Sequence, residues 1–242
     1  MKLAVFLLAG RGSRLGPYGD HLPKCLIEVS GIPILHRMLG NLKKQGLKKA
    51  ILVVGFLWKE IYKSIGDVWE GIEIEYVVNE DWEETNNIVS LYRAKNSILE
   101  DFLLLEGDII VSESALGLFS GAKNQIAVSR FKPYMDGTVV TVDDRLVKKI
   151  YLKSDPNRPS EPGRLYKTVN IYCLEFNKFS SLILPELKKI IDSGATSVYY
   201  EQAFANLVNS SNMDFIPVDF SGIDWAEVDN KDDLQRAERI FP

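Results

Sequence analysis

A doubly wound, mostly parallel α/β sheet is the fold class that this chain of 242 residues predicts, on three observations. Unbroken apolar runs at 3–9 ("LAVFLLA"), 50–55 ("AILVVG") and 102–108 ("FLLLEGD") have the length and composition of strands buried on both faces. Segments of helical periodicity separate them. Each run ends at a glycine, on the side where an open α/β sheet receives its ligand.

Taken in order, the run at 3–9 is bounded by Gly10 and reads as the first strand. "PILHRMLGNLKKQG" (33–46) opens on proline and closes on glycine, the asymmetry of a helix start and stop. The second strand follows at 50–55. "NIVSLYRAKNSI" (87–98) sets Ile88, Leu91 and Ala94/Lys95 on helical spacing before the third strand. This alternation implies right-handed βαβ units through about residue 120. Beyond 125 the texture changes: "QIAVSRF", "GTVVTVD", "LVKKIYL" and "LYKTVNIYCLE" are strand-like runs separated by turn residues, among them "SDPNRPSEPG" at 154–163. They predict a small β-rich insertion lobe over 125–175. Helical stretches at 176–193 and 198–209 follow, then a strand-like "WAEVD" and a helical "KDDLQRAERI". With no internal repeat or low-complexity tract, 1–242 reads as a single domain.

A hydrophobic share of 46% and a charged share of 26% are those of an ordinary globular protein. The net charge of −4 argues against a nucleic-acid reader built on bulk positive charge, and leaves room for a local basic pocket. Cys25 and Cys173 are far apart and neither belongs to a C-x-x-C pair, so neither a zinc site nor a disulfide framework is expected, and a reduced cytoplasmic protein is. The apolar start "MKLAVFLLAG" is too short for a signal peptide and runs into Arg11 and Arg14. No stretch spans a bilayer. A homodimer is compatible with all of this.

Chemistry concentrates in "LLAGRGSRLGPYGDHLPK" (7–24). Gly10 and Gly12 follow the first strand directly, where glycine lets backbone N–H groups approach a phosphate. The dinucleotide fingerprint G-x-G-x-x-G fails because Leu15 holds its third glycine position, and Leu15 likewise breaks the kinase and ATPase loop G-x-x-x-x-G-K-[ST]. Arg14 and Lys24 are suited to offsetting the roughly four negative charges of a nucleoside triphosphate and those of a departing pyrophosphate. The competing reading is a surface turn with solvated arginines.

Two aspartates end apolar runs. Asp108 is placed to hold Mg²⁺ against triphosphate oxygens, against the plainer reading of Gly107-Asp108 as turn punctuation. Asp229 is the second candidate, and it also suits the N-cap of the final helix with Asp232 three residues on.

The two-part pattern "LLAGRGSRL" followed by Pro23 and Lys24 fits the nucleotidyltransferase signature L-A-x-G-x-G-x-R-L leading to P-K. With "PKCLIEVSGIPIL", "ETNNIVSLY", "LLLEGDIIV" and "WAEVDNKDDL", most of the chain resembles that superfamily. Within it the chain is similar to the small cytidylyltransferases that act on phosphocholine or load CMP onto phosphonates. The resemblance implies a Rossmann-like nucleotidyltransferase fold and Mg-dependent transfer of CMP from CTP to a small organic phosphate or phosphonate. It assigns Lys24 and Arg14 to catalysis, Leu8, Ala9, Gly10 and Gly12 to the nucleotide loop, and Asp108 and Asp229 to the metal. Asn79, Thr85, Asn86 and Asn87 would lie against the base, although Thr85 or Asn86 also suits a helix cap. Leu8 departs from the alanine more common there. "ETNNIV" replaces the glycine-containing base turn of sugar-nucleotide members, which favours the cytidylyltransferase branch.

For the acceptor two features compete. Trp82, Tyr92, Tyr199, Tyr200 and Trp225 with Glu201 suit a choline-like or aminoalkyl cation, though most such aromatics are core. Arg164, Lys167 and Asn170 suit an anionic group. Lys167, Asn170, Tyr200 and Glu201 are the acceptor residues expected, on the side of the 125–175 lobe. A general phosphate or phosphonate ranks first and phosphocholine second. A sugar-1-phosphate nucleotidyltransferase using UTP or dTTP, a dinucleotide oxidoreductase and a non-catalytic nucleotide-binding subunit are the rivals. His21 and His36 are the chain's two histidines. An acceptor oxygen already ionised needs no histidine base, whereas a serine or cysteine hydrolase does.

Overall fold

The computed structural model of the chain describes residues 2–12, 14, 16, 21–119 and 124–242. β1 (Leu3–Leu8) leads through the glycine loop and a 3-10 turn at Lys24–Leu26 to a short hairpin, β2 (Glu28–Val29) and β3 (Ile32–Pro33), and the helix Ile34–Lys44. β4 (Lys49–Val54), the helix Trp58–Ile65, β5 (Val68–Trp69), β6 (Ile72–Val78), the helix Asn87–Arg93 and β7 (Phe102–Glu106) follow. After β8 (Ile109–Val111) come β9 (Gln125–Arg130), β10 (Val139–Asp143), β11 (Leu146–Tyr151) and β12 (Tyr166–Leu174). The helices Leu184–Asp192 and Glu201–Asn209, β13 (Ile216–Asp219), β14 (Trp225–Glu227) and the helix Lys231–Ile240 complete the order.

The central ten-stranded sheet runs β11-β10-β12-β7-β1-β4-β6-β5, with β9 on β12 and β13 on β9. β1 is parallel to β4 and to β7, with Leu8 opposite Val54 and Leu7 opposite Glu106. Because β6 is parallel to β4 as well, the carboxyl ends of four strands open on one edge. Alternation along β1 divides the core: Ala4, Phe6 and Leu8 pack with the helix Ile34–Lys44 on one face, Leu3, Val5 and Leu7 with the helices Leu184–Asp192 and Glu201–Asn209 on the other. A strand between two such layers must be apolar throughout, which is why β1 carries no polar residue.

The β-rich stretch expected over 125–175 is present, and its strands are hydrogen-bonded into the central sheet. β12 is the joint: Ile171–Leu174 pair antiparallel with β7, while Tyr166 and Lys167 pair with β10. The register with β9 shifts between Thr168 and Tyr172. Asn170 lies in that irregularity at φ 57°, a left-handed conformation that asparagine tolerates better than most residues. The stretch 176–193 is helical with a π-type segment at Phe179–Ile183, and 198–209 begins its helix at Glu201. Among the described residues no helix is long and apolar enough to cross a membrane.

The end of β4 and the end of β1 are locked together at Gly55. Phe56 N donates to the Ala9 carbonyl at 3.0 Å. A Cβ on Gly55 would stand 2.6 Å from Trp82 Cβ and 2.8 Å from the Ala9 oxygen. Gly55→Ala is therefore expected to cost about 1–3 kcal/mol, lowering the melting temperature by about 2–4 °C per kcal/mol in a domain of this size. An unchanged melting curve would show that this contact relaxes freely.

Candidate active site

β7 ends at Glu106, and Gly107 and Asp108 turn the chain into β8. β8 pairs antiparallel with β14, Ile109 facing Glu227, and Val228 N donates to the Asp108 carbonyl at 2.9 Å. That ladder delivers Asp229 beside Asp108. Asn230, not Asp229, caps the last helix: its Oδ1 accepts from Asp232 N at 2.9 Å and Asp233 N at 3.0 Å. The capping role expected of Asp229 is thus taken by its neighbour, and the Asp229 carboxylate turns elsewhere.

Lys24 Nζ donates to Asp108 Oδ2 and to Asp229 Oδ1, both at 2.5 Å. Arg14 adds a bond to Asp229 Oδ1 at 2.8 Å. The 3-10 turn that begins at Lys24 fixes the ammonium from below, and the glycine loop crosses over it. Gly12 has φ 69°, and a Cβ there would stand 3.1 Å from Lys24 Cβ, so both backbone and space require glycine. A Cβ on Gly107 would stand 2.6 Å from Leu8 Cδ2 and 3.2 Å from Cys25 Cβ. Leu8 therefore packs beneath the turn that presents Asp108.

Burial alone would depress the Lys24 ammonium, but the two carboxylates outweigh it and hold its pKa above the ordinary value. Asp108 Oδ1 is buried without a hydrogen-bond partner. Two converging carboxylates, one with an orphaned oxygen, fit a hard divalent cation that takes its remaining ligands from phosphate and water. Among the described residues no group of three or more His, Cys, Asp or Glu side chains is placed to hold a metal ion. Burial pushes the nearby Cys25 thiol up to about 12, which disfavours its thiolate form.

This triad opens into a cavity of about 530 Å³ lined on one side by Leu8, Gly10, Gly12 and Arg14. Asn86, Asn87, Lys167, Asn170 and Glu201 line it too. Asn86 caps the helix Asn87–Arg93, its Oδ1 accepting from Asn87 N at 2.7 Å. Asn87 is engaged at both ends of its amide, donating to Glu106 Oε1 at 3.3 Å and accepting from Tyr200 N at 2.9 Å. Lys167 Nζ donates to the Thr168 carbonyl at 2.8 Å and lies 3.4 Å from Glu227 Oε2.

Several expected site residues are elsewhere. Asn79 is buried and spends its amide on Thr85 Oγ1 (3.2 Å), Ser90 Oγ (3.1 Å) and Asp81 N (3.2 Å). Thr85 is tied to Asp81 O at 2.7 Å, and neither it nor Asn79 lines the cavity. Ala9 contributes its carbonyl to Phe56 rather than to the cavity wall. Tyr200 is fully buried, its ring packed edge-on against Tyr172 and Phe204. Trp82 packs on Phe56, and Trp225 lines a second cavity of about 370 Å³ beside the first. Tyr92 carries Lys95 over its ring and Arg164 pairs with Glu161 at the surface. His36 bonds Ser64 Oγ at 2.7 Å, and His21 is exposed outside the cavity lining. Leu15, the last position of the loop pattern, lies outside the described residues.

Glu106 and Glu227 also line the cavity and were not singled out in the sequence. The available signal was a repeated Glu-x-Asp at a strand end, Glu106 before Asp108 and Glu227 before Asp229. Burial, then repulsion from Asp108, Glu201 and Glu227, raises Glu106 well above the carboxylate range. For Glu227 burial raises, Lys167 lowers, and Asp108 and Asp229 raise, leaving it at about 7 against an ordinary 4.5. Between those two values the folded chain holds a proton that the unfolded chain has lost. Stability should therefore fall as pH rises through this window, by at most about 1.4 kcal/mol per pH unit for one proton. Denaturant titrations in chelator across this range are expected to record that decline, and Glu227→Gln to make it shallower by that residue's share, Glu106 and Glu201 supplying the rest.

The chain is 34% identical, over 98% of its length, to the CMP-5'-(3-aminopropyl)phosphonate synthase of Streptomyces rubellomurinus, of which it spans 38%. It is 29% identical, again over 98% of its length, to the bifunctional protein GlmU of Methanococcus vannielii, spanning 54% of it. The chain thus covers well under two thirds of both relatives. In fold it is like the solved CTP:phosphocholine cytidylyltransferase of Streptococcus pneumoniae, with a TM-score of 0.78 at 20% identity over 100% of both chains. Residues 4–157 match the MobA-like NTP transferase domain, and the chain belongs to that family.

Proposed function

We propose that this chain is a Mg²⁺-dependent cytidylyltransferase that moves CMP from CTP to a small organic phosphate or phosphonate. One observation carries the reading: an ammonium and two carboxylates converge beneath a glycine loop at the carboxyl edge of a parallel sheet. The preference for CTP and for such an acceptor is supported by the similarity to the aminopropylphosphonate-CMP synthase.

An oxygen of the acceptor's phosphoryl or phosphonyl group attacks the α-phosphorus of the nucleotide. A P–O bond forms there as the bond to the bridging oxygen of the β-phosphate breaks, and pyrophosphate leaves with the electron pair. The attacking oxygen is ionised near neutral pH, so no side chain has to take a proton. The bare backbone at Gly10 and Gly12 lets phosphates approach the loop, and Lys24 and Arg14 offset charge on the departing pyrophosphate. Asp108 and Asp229 would hold Mg²⁺, which supplies charge neutralisation at the triphosphate.

A pyrophosphate-release screen crossing CTP, UTP, dTTP, ATP and GTP with small phosphates, phosphonates and sugar-1-phosphates tests the reading. Release with CTP and a phosphate or phosphonate is expected, and release with UTP or dTTP and a sugar phosphate alone would replace it. Lys24→Ala should retain the parent's circular dichroism and lose about 10²–10³-fold in turnover; turnover within a few-fold of the parent would remove Lys24 from catalysis. Asp108→Asn should weaken Mn²⁺ binding, followed by electron paramagnetic resonance of the free ion, by about 10-fold or more, since affinity follows ligand charge.

A further inference from the structure

The cavity holds one carboxylate that the triad does not use. Glu201, the first residue of the helix Glu201–Asn209, is 5% exposed and lines the cavity. Its Oε1 accepts from Thr138 Oγ1 at 3.2 Å, and its Oε2 is buried with no hydrogen-bond partner. An oxygen in that position costs stability unless a donor reaches it.

Of the protein's own cations, Lys167 lies near enough to favour the ionised form of Glu201, but it directs its hydrogen bond elsewhere. Six carboxyl groups and four cationic side chains line the cavity among the described residues, and the hydrogen bonds and ion pairs of those four cations go to groups other than Glu201. Lys24 is held by Asp108 and Asp229, and Arg14 by Asp229. Lys153 pairs with Asp136 at 2.5 Å, and Lys167 bonds Thr168 O and faces Glu227.

We propose that Glu201 receives the primary ammonium group of an aminoalkyl phosphate or phosphonate acceptor, and that this contact selects the acceptor. The inference rests on the cytidylyl-transfer reading for the identity of the second substrate. A primary ammonium brings three N–H donors, one of which satisfies Oε2, together with a charge that favours the ionised carboxylate. A trimethylammonium group has no such donor and is held by ring faces. Among the described residues Tyr199 is the single aromatic side chain in the lining, and it is 52% exposed. With no set of enclosing rings among the described residues of its lining, the cavity favours a hydrogen-bonding cation over a methylated one.

The test is calorimetric titration of the intact protein, with and without CTP and Mg²⁺, by phosphonates of equal chain length. The series carries a terminal amine, a trimethylammonium, a hydroxyl or no substituent. The amine is expected to bind about 10- to 100-fold more tightly than the other three, the range of a charge-assisted hydrogen bond. In Glu201→Gln, which keeps the side chain's shape, that ratio should collapse towards one while the melting temperature shows the variant folded. Equal binding across the wild-type series, a preference for trimethylammonium, absence of binding by the amine, or a ratio that survives Glu201→Gln would each overturn the proposal. Because the wild-type series alone can refute it, the test stands even if the variant fails to fold. Pyrophosphate release followed in parallel separates the two readings. A protein that discriminates the amine yet releases no pyrophosphate keeps this assignment and loses cytidylyl transfer, and one that transfers CMP without discriminating does the reverse.

Discussion

The short ladder between β8 and β14 is the constraint on which the site depends. Two carboxylates far apart in sequence repel when brought together, and removing them from water adds a desolvation cost. The backbone bond from Val228 to Asp108 and the pairing of Glu227 with Ile109 hold them in place regardless. Lys24 then offsets the repulsion by donating to both. Removing that ammonium leaves partly buried like charges facing each other, and under the proposed function a divalent ion would supply the same compensation. Chemistry and folding thus use one electrostatic arrangement.

Glycine is needed here for approach as much as for conformation. Gly12 lies over the Lys24 stem, Gly107 over Leu8 and Cys25, and Gly55 against Trp82 and Ala9. These three contacts draw the ends of β1, β4 and β7 together into a rigid floor. Leu8, larger than the alanine common in the resembling enzymes, is accommodated because Gly107 has no side chain. The same packing buries Cys25 and disfavours its thiolate.

Beyond the triad, the cavity is acidic in a way that the net charge of the chain does not reveal. Burial makes Glu106, Glu201 and Glu227 all resist ionisation; repulsion from neighbouring carboxylates adds to this at Glu106, while Lys167 partly offsets it at Glu201 and Glu227. Groups like these cost stability in the free protein. They are the kind of local inconsistency between fold and sequence that a bound ligand resolves.

Much of this was legible in the sequence. Apolar runs without a polar interruption identified β1, β4 and β7, because a strand covered on both faces tolerates nothing else. The glycine and lysine pattern marked the loop, and the aspartates at strand ends marked the two carboxylates of the triad. β6, "IEIEYVV", escaped because its residues alternate near the sheet's margin and do not form a continuous apolar run. Local sequence also could not show that Asn79 would spend its amide inside the fold while Asn86 and Asn87 reached the cavity, since the three share one composition and differ only in their tertiary partners. Residue type and spacing determined which segments offer bare backbone, cations and carboxylates. Which of them meet was decided by strand pairing between distant segments, and which carboxylate is left without a donor was decided by burial, two properties that no short stretch of chain contains.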